Sequence, residues 1–576
     1  MSAFFDIWIS DGCLKPVAKR LGHAEWENRS DGIYFNKPHD ERKLFFREID
    51  EENAYILVLG QLYEPVTDTE LLRRCCDYTA GRVREFDDPA GHYIIFVREK
   101  VSKTTHVFTN RFGTYHAYWM GGQTPAIGTF YLGMAKDSPE KKLDWEGLAA
   151  FFATGYFPSD RTYLSGIRIF KPASCYTFDE QLNLVDHHCY WEWQYNVSQV
   201  GEATHFERLH HALKSSVRYA MKERKVALPI SGGLDSRMLA GVTSSVNDAS
   251  TRLWAYSYGY NPKSIETRIA GRIASSLNIS FGECVVPDYL FSKIDIIADS
   301  VDLFQYVDGT RQACMEDVLE EHADMVIGGH WGDVWMDNMN VSDGPNGLYA
   351  AYKKKIIKKG SDWLLSEVCA SHLPDPEQYV KGHFEDALGE LKHINDPEMK
   401  FRAYKTNNWS FRWTLASIRM YQAGAFPVLP FYDKYVADSI LSIPAEMHLG
   451  RKFQINYIKH FHPQLAGITW QEYGRNLYSY KYFNNRSIAY RAFNKLSRSI
   501  SGAKPITRNW ELFYLHPEGK AKLEQALFYP IFNEIVPEKK VRELLNTFYR
   551  DPSGANGYTV SMLHTFAQFI RRMSNA

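Results

Sequence analysis

Short apolar runs separated by turn-forming residues fill the first 200 positions of the chain. Such runs occupy residues 55–59, 93–97 and 106–109, and they are bounded by Gly, Asp and Pro. Runs of this length that are rich in Val, Ile, Tyr and Phe are typical of β-strands. The pattern predicts a strand-rich N-terminal part.

From residue 226 onwards, apolar runs alternate with residues at helical spacing. The run at residues 226–228 predicts a buried strand, and Met238, Leu239, Val242 and Val246 then follow with the three-and-four spacing of a helix face. The next run, at residues 253–259, predicts the neighbouring parallel strand. Strands that alternate with helices are typical of an α/β fold.

Two further helices are predicted from local signals. Asn261 and Pro262 offer an N-cap and a first-turn proline for a helix that continues to Leu277. Residues 558–570 predict a closing helix.

The stretch between the first strand and its helix, residues 229–236, has the chemistry of an anion site. Gly232 and Gly233 let the backbone approach a ligand, and the helix N-terminus favours negative charge. Ser231 and Ser236 add hydroxyl donors. Asp235 would repel phosphate unless a divalent cation bridges the two. The alternative is an ordinary tight turn capped by serine.

A second glycine-rich turn follows the apolar residues Val326 and Ile327. It contains Gly329, His330 and one carboxylate, Asp333. In an open α/β sheet, ligands bind at the carboxyl ends of the strands. Both turns are therefore expected at one edge of the sheet.

The composition is that of a globular protein with room for two or more domains. The 576 residues are 45% hydrophobic and 23% charged, with a net charge of −1. No field of one sign attracts nucleic acid or a membrane surface. No apolar run reaches the roughly 18 residues that a membrane helix needs, and no signal peptide is evident. Eight scattered cysteines, none in a CxxC pair, predict reduced thiols and a cytoplasmic protein.

The Ser-Gly-Gly-x-Asp-Ser string at residues 231–236 resembles the pyrophosphate loop of the ATP pyrophosphatases. It is not the GxxxxGK[ST] loop, so transfer of the γ-phosphate is not implied. Together with Arg111-Phe112-Gly113 and the pattern at residues 166–172, it resembles the asparagine synthetase family, including the β-lactam synthetase and lasso-peptide cyclase relatives.

This resemblance implies an α/β protein with two domains. Residues 1–200 would form a degenerate Ntn-type glutaminase domain with αββα layers. Residues 205–576 would form the ligase domain, a parallel sheet like that of the adenine nucleotide α-hydrolases.

The family's glutaminases use an N-terminal cysteine, and this chain has Ser2 after its initiator Met. An alcohol is far less ionised than a thiol near neutral pH. The family's glutamine-pocket segment is also altered, to Leu59-Gly60-Gln61. We expect no glutaminase activity.

The resemblance also implies an ATP site and a Mg²⁺ site. Asp235 and Asp333 would hold the metal on the pyrophosphate. The residues expected to contact ATP are Leu228, Ser231, Gly232, Gly233, Leu234, Asp235, Ser236, Tyr256, Ser257 and Gly329.

Three catalytic candidates follow from the resemblance. His330 stands where relatives have Glu or Tyr near the attacking amine, and a neutral His can act as a base; the alternative is a structural His. Glu266 would hold a loop or an Arg, or be a solvated helix carboxylate. The family's adenylate-stabilising lysine aligns with Asn456, and Lys452 is preferred to Lys459 as its substitute.

The implied activity is that of an ATP-dependent, AMP-forming amide ligase. A small-molecule or peptide carboxylate would be adenylated and then attacked by an amine. Three substrates remain open: aspartate with ammonia or glutamine, an intramolecular amine as in lactam or lasso-peptide cyclisation, and an acid on another metabolite. The rival hypothesis is a non-catalytic scaffold. Expected partners are the two substrates and a homodimer or substrate-delivery protein, but no nucleic acid or membrane.

Overall fold

The computed structural model describes residues 2–480 and 506–574, apart from residues 13, 31, 39–42, 249, 343, 345 and 507. Three sheets organise this part of the chain: two six-stranded antiparallel sheets and one five-stranded parallel sheet. The mixed α/β class expected from the sequence is confirmed.

The strands of the first antiparallel sheet lie in the order β10-β8-β9-β1-β3-β2, and those of the second in the order β12-β11-β7-β6-β5-β4. Their bounds are β1 (Asp6–Ser10), β2 (Glu27–Ser30), β3 (Ile33–Asn36), β4 (Phe46–Asp50), β5 (Ala54–Leu62), β6 (Gly91–Glu99), β7 (Thr105–Thr109), β8 (Tyr118–Met120), β9 (Ala126–Gly128), β10 (Ile167–Ile169), β11 (Ser174–Phe178) and β12 (Leu184–Cys189).

The parallel sheet has the order β15-β14-β13-β16-β17. Its strands are β13 (Lys225–Pro229), β14 (Arg252–Gly259), β15 (Ser280–Val285), β16 (Met325–Ile327) and β17 (Phe426–Val428). The predicted strands at residues 226–228 and 253–259 are thus confirmed as neighbours in parallel register.

The α-helices are α1 (Asp68–Thr79), α2 (Tyr131–Asp137), α3 (Trp145–Thr154), α4 (Glu202–Met221), α5 (Asp235–Val246), α6 (Ile265–Ser276), α7 (Ile294–Val301), α8 (Glu316–His322), α9 (Gly332–Met336), α10 (Gly347–Lys355), α11 (Ser361–Leu364), α12 (Pro376–Glu390), α13 (Pro397–Tyr404), α14 (Leu415–Ile418), α15 (Lys434–Leu441), α16 (Ala445–His448), α17 (Lys452–Phe461), α18 (Pro463–Ala466), α19 (Asn509–Phe513), α20 (Pro517–Leu527), α21 (Pro530–Ile535), α22 (Glu538–Arg550) and α23 (Gly554–Ser574).

Short helices of other pitch connect these elements. The π-helical segments are Leu365–Cys369 and Lys405–Thr414, and the 3₁₀ turns are Val307–Gly309, Arg311–Met315, Arg419–Ala423, Pro430–Tyr432, Leu449–Arg451 and Leu477–Ser479. None of the helices in the described part of the chain is long and apolar enough to cross a membrane.

The two antiparallel sheets pack face to face because β5 alternates between two cores. Leu57 and Leu59 point into the large core that also contains Ile7 of the first sheet. Ile56 and Val58 point the other way, into a smaller core with α1. Successive side chains of a strand face opposite sides, so one apolar strand serves both layers.

The outer layer on the far side is α2. Its Met134 lies against β9, where a Cβ on Gly128 would stand 3.0 Å from the Met134 sulfur. The layers are therefore helix, sheet, sheet and helix, which is the αββα arrangement expected from the sequence. The boundaries at residues 200 and 205 remain a prediction.

One local prediction was wrong. The helix after β14 is capped by Ser264, whose hydroxyl accepts a hydrogen bond from the amide of Thr267, and not by Asn261. A serine accepts this bond as well as asparagine does. The predicted closing helix at residues 558–570 lies within α23.

Candidate active site at the carboxyl edge of the parallel sheet

The serine-glycine turn, residues 230–234, joins β13 to α5. The hydroxyl of Ser236 accepts a hydrogen bond from the amide of Ser231 at 2.9 Å, and the hydroxyl of Ser231 accepts one from the amide of Gly233 at 3.2 Å. The two hydroxyl oxygens are 3.0 Å apart. No side chain caps the N-terminus of α5. The helix therefore presents first-turn amides to the space outside the sheet, where they favour an anion.

The second glycine turn, residues 328–332, packs directly onto the first. A Cβ on Gly329 would lie 3.1 Å from the amide nitrogen of Ser236, and a Cβ on Gly332 would lie 2.8 Å from the carboxylate carbon of Asp235. Only glycine allows this approach without displacement of the backbone. The contact brings Asp333, at the start of α9, to the side of Asp235.

The carboxylates of Asp235 and Asp333 interact electrostatically. Burial raises the pKa of Asp235 above its usual range, the charge of Arg451 opposes this shift, and the charge of Asp333 adds to it. Arg451 forms an ion pair with Asp235, and Gln454 donates a hydrogen bond to the same oxygen at 2.8 Å. Both carboxylates thus interact with one guanidinium at the edge of the sheet.

These carboxylates fit a Mg²⁺ ion that is also bound by phosphate oxygens. Mg²⁺ usually takes one or two protein carboxylates and completes its octahedron with water and substrate phosphates. In the described residues, three acidic groups converge only at Glu316, Asp317 and Glu320, remote from the turns. Asp235 and Asp333 would accordingly bind a metal together with a nucleotide and not as a closed protein cage.

Arg451 was not assigned a role from the sequence. Burial lowers its pKa, but the charges of Asp235 and Asp333 outweigh that effect and the pKa is raised overall. It has a left-handed backbone with φ of 61° directly before α17. This conformation turns the side chain back to the glycine turns, and no spacing rule in the sequence indicates it.

Lys452, the neighbouring residue, lies exposed at the first position of α17. Asn456 donates a hydrogen bond to Glu202 at 3.1 Å, and Lys459 lies near the ring of Tyr478. The structure places none of these three beside Asp235. The cation at that position is Arg451.

Gln471 covers one side of the serine-glycine turn. The backbone N–H of Gln471 donates a hydrogen bond to the carbonyl of Gly232 at 3.1 Å. A Cβ on Gly232 would overlap the side chain of Gln471. The buried Arg237 of α5 holds the preceding segment through the carbonyls of Ile468 and Thr469, at 2.8 and 2.6 Å. This side of the turn is thus fixed by Arg237, and the side chain of Gln471 lies over Gly232.

The strand expected to bind adenine extends past its neighbour. β13 ends at Pro229, which is opposite Tyr256, and β14 continues to Gly259. The carbonyl of Tyr256 accepts a hydrogen bond from Ile230 at 2.8 Å, so the backbone of Tyr258 faces the same side beyond the end of β13. Tyr256 is fully buried, and the hydroxyl of Ser257 has no hydrogen-bond partner in the described chain.

The structure places the remaining ATP residues, Leu228 and Leu234, in the core beneath the turn. They support the turn from below. The sequence-predicted set is thus divided between residues that face the edge of the sheet and residues that pack under it.

His330 packs against Gly328 and lies 6.1 Å, between ring centroids, from Tyr421. Burial lowers the pKa of His330 to about 4, although the charge of Asp333 opposes the shift. The imidazole is therefore neutral near pH 7. Its Nδ1 is buried and has no hydrogen-bond partner in the described part of the chain.

Glu266 lies on α6 near Arg311. Burial raises the pKa of Glu266, and the charge of Arg311 opposes this. Arg311 in turn lies 6.0 Å from the ring centroid of Tyr258 and 5.9 Å from that of Tyr260. This arrangement agrees with a carboxylate that positions an arginine beside β14.

The N-terminal part shows what surrounds Ser2. Its hydroxyl accepts a hydrogen bond from the amide of Phe4 at 3.0 Å, and a cavity of about 520 Å³ adjoins it. Gln61, in the altered glutamine-pocket segment, donates a hydrogen bond to the carbonyl of Ala220 at 3.1 Å. That side chain holds α4 and is not directed into a pocket with Ser2.

Comparison with known proteins gives one family match. Residues 208–338 match the family model described as asparagine synthase, a span that includes both glycine turns, Asp235 and Asp333. No curated protein matches the sequence. A solved structure of glutamine phosphoribosylpyrophosphate amidotransferase from B. subtilis, complexed with ADP and GMP, is 7% identical over 50% of this chain and 85% of that chain, with a TM-score of 0.20.

Proposed function

We propose that this protein is an ATP-dependent amide ligase that forms AMP and pyrophosphate. The first support is that residues 208–338 match the asparagine synthase family model. The observation that supports this best is the packing of Gly329 and Gly332 onto the turn that carries Asp235. That packing puts two carboxylates from different strands beside one helix N-terminus. A carboxylate substrate would attack the α-phosphate, and an amine would then displace AMP from the acyl-adenylate.

The residues at the edge of the sheet have separate tasks in this reaction. Asp235 and Asp333 would hold Mg²⁺, which when bound neutralises charge on the departing pyrophosphate. The first-turn amides of α5 and the hydroxyl of Ser231 would bind phosphate oxygens, and Tyr258 would offer its backbone to adenine. Arg451 would pair with the pyrophosphate, since Asp235 would then be paired with the metal.

We propose that the second substrate is an amine, and that this protein does not obtain it by hydrolysing free glutamine. His330 lies beside Asp333 with a neutral ring, so it could accept a hydrogen bond from an incoming amine and orient it. An intramolecular amine and a separate metabolite amine both fit.

A homodimer or a substrate-delivery protein is the expected partner. The expected compartment is a reducing cytoplasm, which suits the thiols of Cys284 and Cys314, because their sulfur atoms are 3.5 Å apart without a bond.

A non-catalytic scaffold is the second candidate, because the side chain of Gln471 lies over Gly232. Trapping the acyl-AMP intermediate distinguishes the two. Incubation with ATP, Mg²⁺ and a panel of acids is expected to release pyrophosphate and yield a species with the mass of an acyl-adenylate. A scaffold would release none, and because Gln471 would then be what blocks the turn, it would bind MgATP more tightly after Gln471→Ala.

Glutamine hydrolysis is expected to stay at the background rate. Ser2 has an alcohol in place of a thiol, and Gln61 is engaged with Ala220. Ammonia release from glutamine should be indistinguishable between the protein and its Ser2→Ala variant. Rapid release that Ser2→Ala abolishes would show a working glutaminase instead. The Ser2→Cys variant tests whether the missing thiol is the only reason for the lack of glutaminase activity. We expect this variant to hydrolyse no glutamine, because the glutamine-pocket segment is altered as well.

A further inference from the structure

Lys405 begins the π-helical segment that ends at Thr414 and lies within electrostatic range of Asp333. Its ammonium is 4.7 Å from the ring centroid of Trp409 and 5.6 Å from that of Trp331. Burial lowers the pKa of Lys405 to about 8, and the charge of Asp333 opposes this shift. Lys405 is therefore a desolvated cation within electrostatic range of a predicted metal ligand.

Lys358 approaches the same indole from another direction. Its ammonium lies 5.0 Å from the ring centroid of Trp409. A Cβ on Gly155 would be 3.7 Å from Cε of Lys358 and 3.8 Å from the indole nitrogen of Trp413. Burial also lowers the pKa of Lys358. The two lysines thus both lie near the ring of Trp409, and the indole N–H of Trp413 lies near Lys358.

Neither ammonium has a hydrogen bond or an ion pair with any residue in the described ranges. Nearby cations are satisfied differently: Arg402 donates to the carbonyls of Val334 and Asp337, at 3.0 and 2.8 Å, and Lys355 donates to that of Met339. The indole N–H of Trp413 also has no partner in this part of the chain. Unpaired buried charges destabilise a fold. A cluster of unpaired donors of this kind is what a bound anion would satisfy.

Tryptophan rings lie next to these unpaired donors. The rings of Trp331 and Trp409 are 6.4 Å apart, and those of Trp409 and Trp413 are 6.0 Å apart. The indole N–H of Trp331 already donates to the hydroxyl of Thr406 at 3.0 Å, so that ring offers only its apolar surface. The lysine-tryptophan cluster therefore combines anion donors with a surface for an apolar body.

We propose that Lys358, Lys405 and the indole N–H of Trp413 bind a second anionic group of the acid substrate, a carboxylate or a phosphate, while the tryptophan rings hold its apolar body. This inference rests on the proposed ligase function, which places the reacting carboxylate beside Asp333. The substrate class is an acid with two anionic ends separated by an apolar or aromatic segment.

The test is equilibrium binding by calorimetry without ATP. The probes are terephthalate, which has two carboxylates on one ring, 4-phosphonobenzoate, and 4-methylbenzoate as the matched monoanion. We expect a dianion to bind at least about tenfold more tightly than 4-methylbenzoate, since it reaches charge-assisted donors. A preference between the two dianions identifies the group as carboxylate or phosphate.

Lys405→Met and Lys358→Met are each expected to lower the dianion affinity at least about tenfold and to leave the 4-methylbenzoate affinity unchanged. The matched control is Lys359→Met, because Lys359 is the exposed neighbour of Lys358. Melting of Lys405→Met at or above the wild-type temperature would show that the fold is intact, since the substitution removes an unpaired buried charge.

Equal affinity for dianion and monoanion, including no binding of either, would overturn the inference, as would a dianion preference that survives both substitutions. The proposed function fails separately. Dianion binding without pyrophosphate release from any acid would keep the anion site and remove the ligase. Pyrophosphate release with monoacids and no dianion preference would keep the ligase function and remove the anion site.

Discussion

Asp333→Asn and Asp235→Asn are each expected to abolish formation of the acyl-adenylate, with a loss of pyrophosphate release of about 10²–10³-fold or more. Each substitution removes one anionic ligand for Mg²⁺ and keeps the size of the side chain. Gly329 packs against the backbone of Ser236, and asparagine has nearly the shape of aspartate beside Gly332, so both glycines should keep their packing.

An acid substrate is not needed for the first measurement. Calorimetric binding of α,β-methylene-ATP should strengthen as Mg²⁺ is added to the wild-type protein. In either variant this dependence on Mg²⁺ should disappear. The control is Asp317→Asn, an exposed acid in the group remote from the turns. Unchanged dependence on Mg²⁺ in Asp235→Asn or Asp333→Asn would remove the metal assignment.

The two variants should differ in stability, and the difference tests the geometry. Asp235 is paired with the partly buried Arg451, so Asp235→Asn leaves a guanidinium without its carboxylate. No ion pair of Asp333 is found within the described ranges, where its charge acts on Asp235, Arg451 and Lys405. We therefore expect a lower melting temperature for Asp235→Asn than for Asp333→Asn, with the same loss of Mg²⁺-dependent binding.

Local patterns in the sequence were sufficient for strands β5, β6, β7, β13 and β14, whereas the αββα layers were expected from the family resemblance. The run at residues 226–228 has no room for a helix turn, and the strand-turn-helix order around Gly232 leaves few alternatives once Val242 and Val246 define a helix face. Both glycine turns follow parallel strands, so topology alone puts Asp235 and Asp333 at one edge. This part of the prediction needed no side-chain contact.

The cations around that edge could not be found in the same way. Arg451 reaches Asp235 after two consecutive residues, Gly450 and Arg451, take left-handed backbone conformations, and Lys452 is exposed. Lys405 lies in a π-helical segment, where the spacing of an α-helix does not apply. Gln471 reaches Gly232 from more than 200 residues away. Such contacts depend on tertiary packing, which periodicity does not encode.

The largest effect on stability is expected at Arg419, which joins the N-terminal sheets to the helices around the parallel sheet. Its guanidinium is 2.6 Å from the carboxylate of Asp302 and donates a hydrogen bond to the hydroxyl of Tyr118 at 3.1 Å. Asp302 is fully buried and also accepts a hydrogen bond from the amide of Leu132 at 3.2 Å. Acidic neighbours raise the pKa of Arg419 against the opposing effect of burial, so the guanidinium stays charged.

Arg419→Met should lower the free energy of unfolding by about 3–5 kcal/mol, because it leaves the Asp302 carboxylate buried without a counterion. The double variant Arg419→Met with Asp302→Asn should recover much of this loss, since it removes the uncompensated charge as well. Chemical denaturation measures both. The control is Arg73→Met, whose partner Asp77 is at 3.4 Å on an exposed helix surface, and it should change the free energy by less than about 0.5 kcal/mol. A double variant as unstable as Arg419→Met would show that packing of the arginine, and not its charge, holds the two parts of the chain together.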